Sequence, residues 1–113
     1  VTGADRLALV DELMARYNAQ DADGYAALMS DDGSEAVYRG DVLRAGREGV
    51  RAGLAAMFAE FPQNRAVVHA RYAIGDKVVL HEEVFRTPET PPFEVISIYS
   101  FEGDKVERVE FVR

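Results

Sequence analysis

The chain has 113 residues, enough for one domain with its own core, and its apolar fraction of 48% is ordinary for a globular protein. A net charge of −7 and a pI near 4.8 argue against a nucleic-acid surface or an anionic membrane surface as partner. With no cysteine there is no disulfide, thiolate metal site or cysteine nucleophile; this suits a cytoplasmic location, and neither a signal peptide nor a transmembrane span is expected.

Thr2-Gly-Ala-Asp5 reads as a capping box with Asp in the acidic role. Leu7, Val10, Leu13, Met14 and Tyr17 follow at spacings of three and four, which predicts an amphipathic helix over about residues 4–19. Asp21-Ala-Asp-Gly24 caps a short second helix carrying Tyr25, Leu28 and Met29, and Ser30-Asp-Asp-Gly33 ends it with turn chemistry. Glu35–Tyr38 and Val42–Arg44 read as two short strands. A third helix follows Gly46, with Val50, Leu54, Met57, Phe58 and Phe61 on one side, and Pro62 stops it.

From there the period changes to two. Strands are predicted over Arg65–Ile74, Lys77–Thr87, Phe93–Glu102 and Lys105–Val112. Gly75-Asp76 and Gly103-Asp104 form the tight turns, and the proline-rich Thr87–Pro92 segment a stiff loop. Helices followed by an antiparallel meander make a single α+β domain over residues 1–113.

Positions 17–32, Tyr-Asn-Ala-Gln-Asp-Ala-Asp-Gly-Tyr-Ala-Ala-Leu-Met-Ser-Asp-Asp, resemble the helix-pair signature of the nuclear transport factor 2-like superfamily, in its SnoaL-like and ketosteroid-isomerase-like branch. Leu43–Arg51 resembles that branch's strand-to-helix junction, and Ile98–Val106 its last hairpin. The resemblance implies a cone-shaped, mainly antiparallel curved sheet wrapped around three N-terminal helices, a cystatin-like roll with a pocket at one end. It also implies a homodimer formed through the outer sheet face. The isomerase residues themselves are absent: the family's Tyr position falls on Leu13, its general-base Asp on Val37 or near Arg39, and its protonated Asp on Ser97.

The strand Lys77–Arg86 holds the break in the apolar pattern. One face carries Val78, Leu80, Glu82 and Val84, and the other Val79, His81, Glu83 and Phe85. The family anchors point the second set inward, together with Phe93, Val95, Ser97, Tyr99 and Phe101. His81 and Glu83 are then the candidate acid–base pair, with Tyr17 or Tyr99 as hydrogen-bond donor. Glu82 takes that place if a bulge shifts the parity, and a structural polar pair or a dimer-face pair is the plainer reading. Tyr17 also reads as a core tyrosine, and His69 as a surface or interface residue. The expected lining is Leu13, Tyr17, Phe58, Val79, His81, Glu83, Phe85, Val95, Ser97, Tyr99, Phe101, Val109 and Phe111, around a small hydrophobic ligand. Neither a cofactor nor a metal is expected. If the domain is an enzyme, the chemistry is isomerisation, cyclisation or dehydration by proton transfer; the alternative is a non-catalytic ligand-binding or dimerisation domain.

Overall fold

The Thr2 hydroxyl accepts from the Asp5 N–H at 3.1 Å, and the Asp5 carboxylate accepts from the Thr2 N–H at 3.0 Å. This reciprocal cap satisfies donors that a helix start leaves free. Helix α1 then runs Gly3–Asn18 in the computed structural model, which describes every residue from Val1 to Arg113. Its apolar stripe buries Val10, Leu13 and Met14. The Asp21 carboxylate caps α2 (Ala22–Ala27), accepting from the Gly24 N–H at 2.9 Å. Helix α3 (Gly46–Glu60) buries Val50, Leu54 and Phe58 and ends just before Pro62.

Six strands make one curved sheet in the order β2-β1-β6-β5-β4-β3. They are β1 (Met29–Val37), β2 (Val42–Ala45), β3 (Arg65–Ile74), β4 (Lys77–Phe85), β5 (Phe93–Glu102) and β6 (Lys105–Val112). The last four form the antiparallel meander that the period-two pattern predicts. Gly75 and Asp76 are the two turn residues between paired Ile74 and Lys77, with Gly75 at a φ of +59°, a region open to glycine without a Cβ clash.

The first strand departs from the sequence reading. The turn expected at Ser30–Gly33 lies inside β1, which starts at Met29 and pairs parallel with β6. Met29 stands opposite Val106 and Ser34 opposite Arg108, with a register shift between them. The turn-forming residues therefore make an irregularity in a strand: Asp31 and Asp32 are exposed while Met29 and Ser30 are buried. Residues beside this irregularity keep their partners, since the Val106 N–H donates to the Leu28 carbonyl at 2.9 Å.

The core lies between the helices and one face of the sheet. Val10, Leu13 and Met14 of α1 and Val50, Leu54 and Phe58 of α3 pack with Val78, Leu80 and Val84 of β4, Val95 and Tyr99 of β5, and Val106 and Val109 of β6. Each fully buried large side chain of this kind contributes about 1.5–3 kcal/mol. No helix is long and apolar enough to cross a membrane.

Candidate functional site

The parity of β4 decides which polar groups enter the core. Ser97 and Tyr99 are buried, and they stand opposite Leu80 and Val78 in the β4–β5 register. Residues directly opposite share a face, so Val78, Leu80, Glu82 and Val84 point inward, and all four are buried. The inward placement expected for Val79, His81, Glu83 and Phe85 is therefore corrected by one residue. Both stripes are partly apolar, but the Glu82 stripe carries three aliphatic side chains and the His81 stripe only two large apolar ones. The excess of apolar residues on the Glu82 face is the sequence signal for this parity, and the family resemblance points the other way.

On the outer face His81 and Glu83 do not pair with each other. His81 Nε2 lies 2.7 Å from Glu94 Oε1, and His69 Nε2 lies 2.9 Å from Glu83 Oε1. The two imidazole rings are 5.3 Å apart. The Phe85 ring lies under the Arg65 guanidinium at 4.2 Å. No group of three or more His, Asp or Glu side chains is placed to hold a metal ion.

Glu82 is the acid that the inner face presents. It is 5% exposed, and the Ser97 hydroxyl donates to its Oε2. No Lys, Arg or His forms an ion pair with it. Burial raises its pKa, the Ser97 hydrogen bond lowers it, and the charge of Glu35 raises it again, so that it moves from the ordinary 4.5 to about 7. The Tyr99 hydroxyl lies 3.7 Å from the Met14 sulfur, a weak acceptor. Burial, then the charges of Glu82 and Glu35, push the Tyr99 phenol well above its usual range.

A second buried carboxylate sits on β1. Glu35 is 2% exposed; its Oε1 accepts from Arg44 Nη1 at 2.6 Å and its Oε2 from the Tyr25 hydroxyl at 3.0 Å. Burial and then the Glu35 charge raise the Tyr25 phenol well above its usual range. A register shift between Glu35 and Ala36 lets both of these neighbours turn inward. Arg44, on β2, lies over the bare face of Gly53, where an added Cβ would collide with Arg44 Nε and Cδ.

Arg86 follows the end of β4. Its Nη1 donates to Asn64 Oδ1 at 2.7 Å and to the Tyr17 hydroxyl at 3.3 Å, and contacts the Met57 sulfur at 3.5 Å. Asn64 Nδ2 donates to the same Tyr17 hydroxyl at 2.9 Å. Asn18 pairs with both backbone groups of Ala66, and Gln20 donates to the Asn64 carbonyl, which ties the end of α1 to the start of β3. The Tyr17 ring meets Phe58 edge-on at 5.5 Å. Tyr17 is thus a half-buried tyrosine at one end of the core, with its oxygen already accepting from two side chains.

Leu13, Phe58, Val95, Ser97, Tyr99 and Val109 are buried as components of the core, and Phe111 is half-buried beside them. Phe101 lies toward the opposite end of β5, where the Arg6 guanidinium stands 5.7 Å from its ring. The sequence pattern does not single out Glu35, Tyr25, Asn64 and Arg86 as site residues, and it offers Glu82 only as the alternative to His81 and Glu83. A surface cleft of about 160 Å³ borders Arg86, and one of about 290 Å³ borders Arg6 and Phe101; Glu82 lines neither.

A sequence profile for the SnoaL-like domain matches residues 10–109. The chain belongs to the SnoaL-like domain family. It is 50% identical to an uncharacterised cystatin-fold protein from Novosphingobium aromaticivorans, over 95% of this chain and 97% of that one, with a TM-score of 0.89. A protein from Sphaerobacter thermophilus shares 29% identity over 92% and 91% of the two chains, with a TM-score of 0.74. A Catenulispora acidiphila protein with a ketosteroid isomerase-like fold, 17% identical over 93% of this chain and 84% of that one, superposes with a TM-score of 0.75. No curated protein matches the sequence.

Proposed function

We propose that this domain binds a small, flat, largely apolar molecule inside the curved sheet and moves a proton on it without a cofactor, with Glu82 as the acid–base group. One observation carries the reading. Glu82 is a buried carboxyl with a hydroxyl for its partner and no cation to neutralise it, and it titrates near 7. Such a group costs stability, and a buried acid poised at working pH suits general acid–base catalysis. In the forward step the Glu82 carboxylate takes a proton from a carbon next to a carbonyl, and the carbonyl oxygen becomes an enolate. The Tyr99 hydroxyl, 3.7 Å from the weakly accepting Met14 sulfur, donates to that oxygen. Glu82 then returns its proton to another carbon or to a departing hydroxyl, which gives isomerisation or dehydration. Entry is at the end of the core where Tyr17, Asn64 and Arg86 meet.

The probe is deuterium exchange of the enolisable β-tetralone in heavy water, followed by proton NMR. The wild type should accelerate exchange, and Glu82→Gln should return it to the buffer rate with the melting temperature kept or raised. Equal exchange by both proteins sinks the assignment. A second reading is favoured by the tight filling of the interior by Leu13, Leu54 and Tyr99: a non-catalytic domain in which Glu82 is a protonated structural acid. It predicts no exchange above buffer from either protein.

The dimer is part of the same proposal. On the outer face Tyr72, Val79 and Ile98 form one cross-strand row, and Ala70, His81, Ile96 and Val112 the next. Tyr72 is 57% exposed, a large apolar area for a solvated face. Light scattering after size exclusion should give twice the chain mass, and Ile98→Glu should give a folded monomer. A wild-type monomer at micromolar concentration removes the dimer from the reading.

A further inference from the structure

The geometry points to a carboxylate-binding site at Arg86, and we infer that it takes the carboxylate of a one-ring aromatic acid. Arg86 is half-buried. Its protein hydrogen bonds all leave from Nη1, toward Asn64, Tyr17 and Met57. Nη2 and Nε have no protein acceptor, and no carboxylate forms an ion pair with this guanidinium. Those two nitrogens form one edge of a planar fork, the edge that matches the two oxygens of a carboxylate. Nη1, held by an Asn64 that is itself 2% exposed, fixes the fork's direction before any ligand arrives.

Aromatic groups surround the same cation. The Arg86 guanidinium carbon lies 5.2 Å from the Phe93 ring and 5.9 Å from the Phe61 ring. Beside it, the cleft of about 160 Å³ is bordered by Phe61, Pro62 and Gln63 and by Thr87 and Pro88. That volume is below the usual range of about 300–1,000 Å³ for drug-sized ligands, so the cleft suits one ring. The Thr87 hydroxyl accepts from the Glu89 and Thr90 N–H groups at 3.2 and 3.0 Å, which fixes the loop wall. Glu60 and Glu89 also border the cleft; both are exposed, and neither reaches Arg86 within ion-pair distance. Attraction of an anion is therefore local to the fork, and the two glutamates select against ligands with further negative charge.

Arg86 follows the last residue of β4, four positions beyond Glu82. The binding site stands without any chemistry at Glu82.

The test uses benzoate as probe, with the Arg86 Nε–H signal followed in nitrogen–proton NMR. Benzoate should shift that signal saturably in the wild type. Benzamide, with no charge, should bind at least about tenfold more weakly, as loss of one charge-assisted pair implies. Arg86→Lys keeps the charge and the hold on Asn64 but loses the fork, and should also weaken benzoate about tenfold. Arg86→Leu should abolish binding, with circular dichroism confirming the fold. An unshifted Arg86 signal at millimolar benzoate, equal binding of benzamide, or full retention in Arg86→Lys overturns the site. Because none of these readouts involves turnover, the failure of β-tetralone exchange and the failure of benzoate binding are separate results.

Discussion

Glu82→Gln is expected to gain on the wild type in unfolding free energy as pH rises, by about 3 kcal/mol in all. The Glu82 carboxyl titrates near 7 in the folded protein and near 4.5 when released into solvent. Between those values the unfolded chain has lost the proton that the folded chain still holds. Unfolded molecules then bind fewer protons than folded ones, so wild-type stability falls as pH rises. Glu82's full contribution is present below about 4.5 and gone above about 7. Glutamine has no such proton, so the difference between the two proteins should open across that window and stay flat above it. Urea unfolding of both proteins at half-unit steps from pH 4 to pH 8 measures it. Parallel curves would mean that Glu82 is solvated or paired in solution, and would remove the basis for its acid–base role. If the curves diverge and exchange of β-tetralone is lost together, stability and activity oppose each other at one residue, as they do where a site is built from a strained or buried charge.

Much of the fold was legible because local chemistry fixed it. Thr2 and Asp5 form the reciprocal cap that their spacing implies, and Gly75-Asp76 closes the hairpin with Ile74 paired to Lys77. Pro62 follows α3, and the period-two stretches are strands. Two features were not legible. The first is β1: Ser30–Gly33 has turn chemistry, yet β6 offers a parallel partner that keeps these residues in the sheet. No local pattern reports a pairing between segments that lie some seventy positions apart. The second is the face of β4, where apolar groups occur on both sides. A parity shift of one residue carries every side chain to the other face of the sheet, since the side-chain period is two. The expected parity puts His81 and Glu83 inside and leaves Glu82 out, whereas the observed β4–β5 register sets Leu80 opposite Ser97 and Val78 opposite Tyr99. Asn64 and Arg86 carried no motif. They matter because the end of α1, the start of β3 and the end of β4 converge, a tertiary fact that single-strand patterns do not contain.

Arg44→Met is expected to destabilise the protein by about 3 kcal/mol, the low end of the range for breaking a buried ion pair. Glu35 is 2% exposed, and Arg44 supplies its only cation at 2.6 Å; the Arg44 side chain is itself 28% exposed, which is why the low end is chosen. Removing the guanidinium leaves a carboxylate in the core with the Tyr25 hydroxyl alone. The cost is that of the orphaned charge and not the worth of the contact, so a second change should recover it. Glu35→Gln in the Arg44→Met background should restore most of the loss, whereas independent sites would give the sum of the single effects. Gly53→Ala should mimic Arg44→Met in direction, because its new methyl would occupy the space of Arg44 Nε and Cδ. Chemical unfolding of the two single variants and the double variant measures the coupling. The pair also reaches the candidate site, since the Glu35 charge is one of the causes that hold Glu82 up. Glu35→Gln in the wild-type background should therefore lower the Glu82 midpoint below about 7 in a carbon-detected titration. An unmoved midpoint would mean that the two carboxyls act independently and that burial alone sets the proton affinity of Glu82.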